Sequence, residues 1–264
     1  MLNGRLRTSK VFIGSILFIG GLALIYPFLK KQIIEEPELV KQKPVAAIPD
    51  FASFSDVTER KKAFFNYLAP AVKAENERIL RDRHFLLDMQ LKLKSGEELS
   101  SQQQDTIFAL SEDYRIDEAL MIDKKVEALL ERVDVVPLAL VLIQAANESG
   151  WGQSRFARQG YNFFGLWCFS EGCGFVPRRR GQGASHEVAK FDSLEQAVHR
   201  YILNLNRHPA YEELRSIRRS LRQQQLHPSA KALSEGLLRY SERGEDYVEE
   251  LQDMIDVNRE LIPQ

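Results

Sequence analysis

One helix of the sequence ends in residues suited to acid–base chemistry. The apolar run LALVLIQAANES lies between Pro137 and Gly150, which predicts a helix that begins after the proline and ends near Ser149. Gln144 and Glu148 lie four residues apart and therefore share a face of this helix. A carboxyl group at the end of a buried helix meets the negative end of the dipole and loses water, and both effects raise its pKa. Glu148 is therefore a candidate general acid, with a cap or a salt bridge to a neighbour as the alternative.

Short motifs follow this helix in a defined order. They are Glu148-Ser149-Gly150-Trp151-Gly152-Gln153-Ser154, Asn162-Phe163-Phe164-Gly165-Leu166-Trp167, Lys190-Phe191-Asp192-Ser193, the helix LEQAVHRYILNL and His208-Pro209-Ala210-Tyr211. The order resembles the bacterial glucosaminidase family (glycoside hydrolase family 73), whose pattern is E-S-x-W-G-x-S, N-L-F-G, F-x-x-Y/F-x-S, a helix with a tyrosine and N-P-x-Y. The match spans roughly residues 137–211, and a looser one continues through YSERGEDYVEELQDMI. The helical N-terminal segment and the CFSEGC insert are most similar to the Bax-type proteins of Gram-negative bacteria.

The resemblance implies a mainly α (α+β) fold, with a lysozyme-like helical domain that carries a small β-lobe. It implies a catalytic domain at residues 134–264, preceded by a helical extension at 51–133. It also implies that Glu148 is the catalytic acid and that Tyr201, on the helix with the tyrosine, assists it. Expected substrate-binding residues are Gln144, Trp151, Asn162, Phe163, Phe164, Gly165, Trp167 and Tyr211. Packing in the core is the alternative for each aromatic ring. It is the preferred interpretation for the side chains of Phe163 and Phe164, although their segment is expected to line the cleft. Support of its own loop is the alternative for Asn162.

A glycosidase usually needs a second carboxylate. In some relatives this group lies on a two-stranded lobe, and the corresponding interval here, CFSEGCGFVPRRRGQGASHEVAKF, contains Glu171 and Glu187. We expect Glu187, on the strand-like stretch HEVAKF, to be the second catalytic carboxylate, with Glu171 as the alternative. The alternative for Glu187 is a surface charge on an edge strand, without a catalytic role. The N-acetyl group of the substrate could instead act as the nucleophile.

The chain has only two cysteines, Cys168 and Cys173, which four residues separate. In an oxidising compartment they are predicted to form a disulfide that closes a small loop, with a free pair as the alternative. The spacing is not that of a C-x-x-C redox motif. Since the five histidines show no H-E-x-x-H spacing, we expect no catalytic metal and no cofactor. A net charge of -1 gives no case for nucleic-acid binding.

The segment from residue 51 to residue 133 is predicted to be helical, because apolar and charged residues alternate at roughly helical spacing. Pro70 is expected to break or start a helix, Lys94-Ser95-Gly96 to form a turn, and Ser101 with Gln104 to form a capping box. Two arginine clusters, 178–180 and Arg215, Arg218, Arg219 and Arg222, are expected to be solvated, with electrostatic guidance of an acidic wall polymer as the alternative.

The near-zero net charge hides a division of the chain. Residues 1–34 carry five basic residues and no acid, so the rest of the chain holds 31 basic and 37 acidic residues, a net charge of -6. Residues 11–29 are uncharged and long enough to span a bilayer as a helix, behind a basic segment at residues 1–10 that is expected to remain in the cytoplasm. Residues 30–50, with three prolines, are expected to form a linker. An inner-membrane anchor with a periplasmic body is the preferred interpretation, and a cleaved signal segment is the alternative.

The resemblance implies a peptidoglycan hydrolase that cleaves the β-1,4 bond on the reducing side of N-acetylglucosamine. The expected partners are the glycan strands and, through the N-terminal helix, the inner membrane. The sequence identifies no protein partner. The alternatives are a lytic transglycosylase, which typically has a G-L-M-Q-type segment where this chain has NFFGLW, and a non-catalytic wall-binding or scaffold module.

Overall fold

The computed structural model describes residues 47–177 and 186–263. Within them lie the helices α1 (Val57–Lys94), α2 (Ser101–Asp113), α3 (Ile122–Arg132), α4 (Leu138–Ser149), α5 (Arg155–Gly160), α6 (Leu194–Arg207), α7 (Glu212–Gln223), α8 (Ala230–Ser234) and α9 (Glu245–Asn258). Three short strands are β1 (Trp167–Cys168), β2 (Gly174–Phe175) and β3 (Glu187–Ala189). This mainly helical architecture with one small sheet agrees with the predicted fold class. The predicted anchor, most of the linker and the cluster of arginines 178–180 lie outside the described residues.

Among the described residues, none of the helices combines the length and the apolar character that crossing a bilayer requires.

Helix α1 runs through Pro70 without a break, so the expected interruption there is wrong. A proline inside a helix removes one backbone hydrogen bond and typically costs about 3 kcal/mol. Buried residues on both sides of it, among them Phe65, Leu68 and Val72, pack into the common core and offset that cost. The helix begins at the cap Asp56, whose carboxylate accepts the amide hydrogen of Glu59 at 2.8 Å.

The turn predicted at Lys94-Ser95-Gly96 is confirmed, since α1 ends at Lys94. The predicted capping box is one residue out of register. Its members are Ser100 and Gln103, which exchange side-chain and backbone hydrogen bonds at 3.3 and 2.9 Å. Consecutive serines at 100 and 101 and glutamines at 102–104 make both registers possible in sequence, and the fold selects the earlier one.

Helix α4 forms the centre of the core, because it is apolar around most of its circumference and must be covered on several sides. It packs against α1, α8 and α9, and α1 also packs against α3 and α6. The predicted extension therefore shares its core with the rest of the chain: Phe64 and Phe65 lie against Trp151 with ring centroids 5.6 and 5.4 Å apart. The described residues form one compact unit.

The sheet has the order β1-β3-β2, and both pairings are antiparallel. Glu187 on β3 is therefore on the central strand, and its residue is only 4% exposed. The alternative interpretation of Glu187, a surface charge on an edge strand, is therefore wrong. Cys168 and Cys173 form the predicted disulfide, with Cα atoms 6.2 Å apart, between the end of β1 and the start of β2.

The predicted solvated face is wrong for Arg215 and Arg218 of α7, which are buried, whereas Arg219 is exposed as expected. Arg218 is 1% exposed, and its guanidinium donates to the backbone carbonyls of residues 131, 132, 134 and 135 and to the side chain of Asn206. Arg222 forms a two-pronged pair with the buried Asp134, at 2.9 and 3.0 Å. Burial lowers the pKa of Arg218 to about 10. These arginines fasten α7 to the segment between α3 and α4, because backbone carbonyls there lack helical partners.

Candidate active site

Glu148 lies in the last turn of α4, which ends where Gly150 adopts a left-handed conformation with φ of 57°. Burial raises the pKa of this carboxyl group, and the charge of Glu250 on α9 adds to the effect. A hydrogen bond from the Tyr247 hydroxyl to Glu148 Oε1, at 2.9 Å, acts in the opposite direction. The net shift favours the protonated carboxyl, which is the form that a general acid needs.

A buried chain of hydrogen bonds begins at this carboxyl group. Gln144 Nε2 donates to the hydroxyl oxygen of Tyr247 at 3.0 Å, and the hydroxyl of Tyr201 donates to Gln144 Oε1. Gln144 and Tyr201 have no measurable exposure, and Tyr247 has almost none. The predicted residues Gln144, Glu148 and Tyr201 are therefore brought together, but Tyr201 reaches Glu148 only through Gln144 and Tyr247.

Aromatic rings surround this chain. Phe164 stacks on Tyr201 with ring centroids 4.1 Å apart, and Tyr240 lies parallel to Tyr247 at 5.6 Å. Tyr211 approaches Tyr240 at 5.9 Å. Burial raises the pKa of all four tyrosines, and the charge of Glu148 contributes in each case. Their hydroxyl groups therefore remain protonated and can act as hydrogen-bond donors at neutral pH.

The loop between α5 and β1 faces Glu148. The buried Asn162 holds it by donating to the carbonyls of Leu166 and Ala189, both at 2.8 Å, and by accepting from the amide of Leu166 at 2.9 Å. Both amide hydrogens of Asn162 are thus used within the protein, which favours loop support over a contact to substrate. Gly165 has φ of 64°, and a Cβ atom there would lie 3.5 Å from Glu148 Oε2. The second carboxyl oxygen therefore faces a residue without a side chain.

The predicted second carboxylate is engaged elsewhere. Glu187 Oε1 accepts the backbone amide hydrogen of Gly172 at 3.1 Å, and Oε2 accepts that of Gly174 at 2.8 Å. Its carboxylate therefore clamps the disulfide loop. The alternative candidate, Glu171, is exposed on the turn of the same loop.

The other predicted aromatic residues separate into two groups. Phe163 is buried and packs its ring against Phe64 and Tyr67 at 6.0 and 6.1 Å. Trp151 is half-buried in the same cluster, with the ammonium of Lys61 4.9 Å from its ring centre. Trp167 differs, since it is 55% exposed and stacks on His186 at 3.9 Å.

The neighbouring Phe169 is 75% exposed and was not among the predicted site residues. Two aromatic side chains on β1 and the disulfide loop are therefore accessible for contact with a ligand.

Sequence reasoning missed the group that contacts Glu148 directly. Tyr247 lies 99 residues further along the chain, on α9. The only local signal was the loose match of YSERGEDYVEELQDMI to the terminal helix of the family, which contains both Tyr240 and Tyr247. Neither tyrosine could be assigned a partner from that match.

The described residues contain one group of potential metal ligands, formed by the sulfurs of Cys168 and Cys173 and the carboxylate of Glu187 within 4.8 Å of one another. Since the two sulfurs are bonded to each other, neither is a thiolate, and the group lacks the ligand chemistry of a metal centre.

Comparison with known proteins agrees with the motifs. The sequence profile of the glucosaminidase family, described as mannosyl-glycoprotein endo-beta-N-acetylglucosaminidase, matches residues 123–260. Protein bax from Escherichia coli (strain K12) is 32% identical over 218 residues, which cover 82% of this chain and 76% of that protein. No solved structure gives a significant match to the chain. The family match and this relative together show that the chain belongs to the glucosaminidase family.

Proposed function

We propose that the protein is a peptidoglycan hydrolase with a lysozyme-like catalytic domain. It cleaves the β-1,4 glycosidic bond on the reducing side of N-acetylglucosamine, and Glu148 is its general acid. One observation carries the assignment: a half-buried carboxyl group with a raised pKa has one oxygen held by Tyr247 and the other directed toward a glycine. Family membership supports the reaction class.

The geometry supports a separate task for each oxygen of Glu148. Oε1 accepts from Tyr247, and Oε2 faces Gly165, where the absent side chain leaves space for the oxygen of the leaving sugar. As the glycosidic C–O bond breaks, the proton on Oε2 passes to that oxygen, and the electron pair of the bond stays with it. Glu148 is left as a carboxylate, which the hydrogen bond from Tyr247 stabilises.

Both oxygens of Glu187 accept hydrogen bonds from the disulfide loop, which disfavours this carboxylate as the nucleophile. This supports substrate assistance, in which the acetamido oxygen of the substrate attacks the anomeric carbon while Glu148 protonates the leaving group. Water then opens the cyclic intermediate and returns a proton to Glu148.

The exposed ring of Trp167 is suited to stacking on a sugar at the edge of the site.

The test is the substitution Glu148→Gln, assayed by the release of soluble fragments from purified sacculi. The side-chain oxygen of glutamine can still accept from Tyr247, so the fold should persist while the proton donor is lost. We expect a rate loss of about 10²–10⁴-fold. Glu171→Gln, an exposed carboxyl on the disulfide loop, is the matched control and should retain full activity.

The identity of the products distinguishes the proposed hydrolase from a lytic transglycosylase. Fragments with a reducing N-acetylglucosamine end support the proposed hydrolase, whereas anhydro-muramyl ends would identify a lytic transglycosylase. Undiminished release by Glu148→Gln would reject the assignment of the acid.

A non-catalytic wall-binding module is the second candidate, and the occupied carboxylate of Glu187 is the observation in its favour. Sacculus binding by the wild-type protein with no fragment release would establish it.

The proposed location is the inner membrane, with residues 11–29 as the anchor and the described body in the periplasm. The uncharged run behind a basic segment supports this placement. Fractionation of cells together with the molecular mass of the mature protein tests it: a full-length protein in the membrane fraction is expected, and a shortened soluble protein would indicate a cleaved signal segment.

A further inference from the structure

Gln144 has a position that contact with a substrate does not explain. It lies one helical turn before Glu148 on α4 and has no exposed surface. Both ends of its amide group are bonded to tyrosine hydroxyls, one on α6 and one on α9. A side chain so enclosed can influence a bound glycan only through the groups that it touches.

The chain of hydrogen bonds has a direction. Gln144 Oε1 can only accept, so the hydroxyl of Tyr201 must donate to it. Gln144 Nε2 can only donate, so at 3.0 Å it supplies a hydrogen to the oxygen of Tyr247. The single hydroxyl hydrogen of Tyr247 is then directed to Glu148 Oε1, at 2.9 Å. With the amide reversed, Tyr247 would give its hydrogen to Gln144, and Glu148 would lose its donor.

We propose that Gln144 is a positioning residue: the orientation of its amide keeps Oε1 of Glu148 an acceptor, so that Glu148 carries its proton on Oε2, the oxygen that faces Gly165. Tyr201 belongs to the same series of hydrogen bonds, because its hydroxyl donates to the acceptor end of the Gln144 amide. The chemical role as acid rests on the proposed function, but the location of the proton does not.

The surroundings fit an orienting role and not a proton pathway. The series of hydrogen bonds ends at Tyr201, whose ring is fully buried beneath Phe164. The hydroxyl groups have a raised pKa because they are buried, so they do not release their protons readily. Protons therefore reach Glu148 from the side of Oε2.

Several titratable groups face Glu148 from the elements packed around it. They are Glu250 and Tyr247 on α9, Tyr201 on α6, and Tyr211 and Tyr240 on the connections before α7 and α9. The carboxylate of Glu250 is paired with Arg243 at 2.6 Å. Substitutions in the hydrogen-bond chain leave this charge in place, so their effect on the titration of Glu148 is separable from it.

The experiment is a carbon-13 NMR titration of full-length protein that contains labelled glutamate, with the Glu148 carboxyl signal assigned by its loss in Glu148→Gln. Tyr247→Phe removes the donor and should raise the proton affinity of Glu148 about tenfold. Gln144→Met and Tyr201→Phe leave Tyr247 in place but remove its polarising partners, and each should raise that affinity about two- to threefold. Tyr114→Phe is the control, because Tyr114 is equally buried but takes no part in these hydrogen bonds, and it should leave the proton affinity of Glu148 unchanged.

The variants also separate positioning from packing. The proposal is overturned if Glu148 titrates as in the wild type in both Gln144→Met and Tyr201→Phe but not in Tyr247→Phe. In that case only the hydrogen bond from Tyr247 acts on Glu148. Where Gln144→Met fails to fold, Tyr201→Phe removes one oxygen atom only and decides the question. The titration needs no turnover, so a protein that releases nothing from sacculi would refute the proposed function and leave this test intact.

Discussion

Substitution of Glu187 by glutamine distinguishes a loop clamp from a catalytic carboxylate. The carboxylate of Glu187 accepts two backbone hydrogen bonds, at 3.1 and 2.8 Å, in a site that is 4% exposed. Glutamine offers one acceptor oxygen, so either the amide of Gly172 or that of Gly174 is left facing an NH₂ group. A lost bond to a charged group is typically worth about 1.5–3 kcal/mol, and we expect the free energy of unfolding to fall by that amount.

The disulfide acts on the same loop and gives an independent scale. Cys168 and Cys173 close a loop of about six residues, for which the chain-entropy relation gives about 2 kcal/mol. Glu187→Gln and the Cys168→Ser, Cys173→Ser double variant should therefore be coupled by more than about 0.5 kcal/mol, because the carboxylate binds a loop that the disulfide has already ordered.

The assay combines denaturant unfolding with fragment release from sacculi. Trp167 adjoins Cys168, so its fluorescence reports on the small sheet and the disulfide loop, whereas that of Trp151 reports on the core. Glu171→Gln, at an exposed position of the same loop, should change neither quantity. If Glu187 only clamps the loop, the Glu187→Gln variant should lose stability but only part of its activity. An activity loss as complete as that of Glu148→Gln, with an unchanged free energy of unfolding, would refute this reasoning and make Glu187 a chemical participant.

Three further predictions follow from the site and its support. Gly165→Ala places a methyl group 3.5 Å from Glu148 Oε2 at a φ of 64°, so we expect about 1 kcal/mol lower stability and a larger loss of kcat/KM; unaltered hydrolysis would show that Oε2 does not face the substrate. Because burial raises the pKa of Glu148 in the folded protein, stability is lost as pH rises from the unfolded to the folded pKa and stays low above it. Glu148→Gln should therefore raise the melting temperature at pH 8 but not at pH 4, and an equal gain at both would contradict the sign of the shift. Arg218→Met removes a guanidinium that bonds four backbone carbonyls and leaves Asp134 with fewer partners, for an expected loss of about 3–5 kcal/mol in urea unfolding. Arg219→Met, at an exposed neighbour, is its control and should cost less than about 1 kcal/mol.

Local patterns predicted the local features of the fold. The apolar run closed by Gly150 gave α4 and placed Glu148 in its last turn, because periodicity and a helix end are properties of neighbouring residues. The same reasoning failed at Pro70, where contacts with α4 and α6 sustain a helix that propensity alone would interrupt. It also failed at Arg218, because charge alone suggests a solvated side chain. Arg218 is buried instead, since its guanidinium donates to backbone carbonyls at the end of α3 that lack helical partners.

The sequence by itself determined the order of the motifs, the family and the residue that we propose as the acid, Glu148. Only the tertiary structure decided which groups contact that residue. Tyr247, 99 residues away, donates to Glu148, and Gln144 sets the direction of that bond from a buried position. Glu187, equally eligible by residue type, is committed to the backbone of the disulfide loop. Residue type and spacing show what a side chain can donate or accept, but its partner depends on which elements pack together, and that is a property of the whole chain.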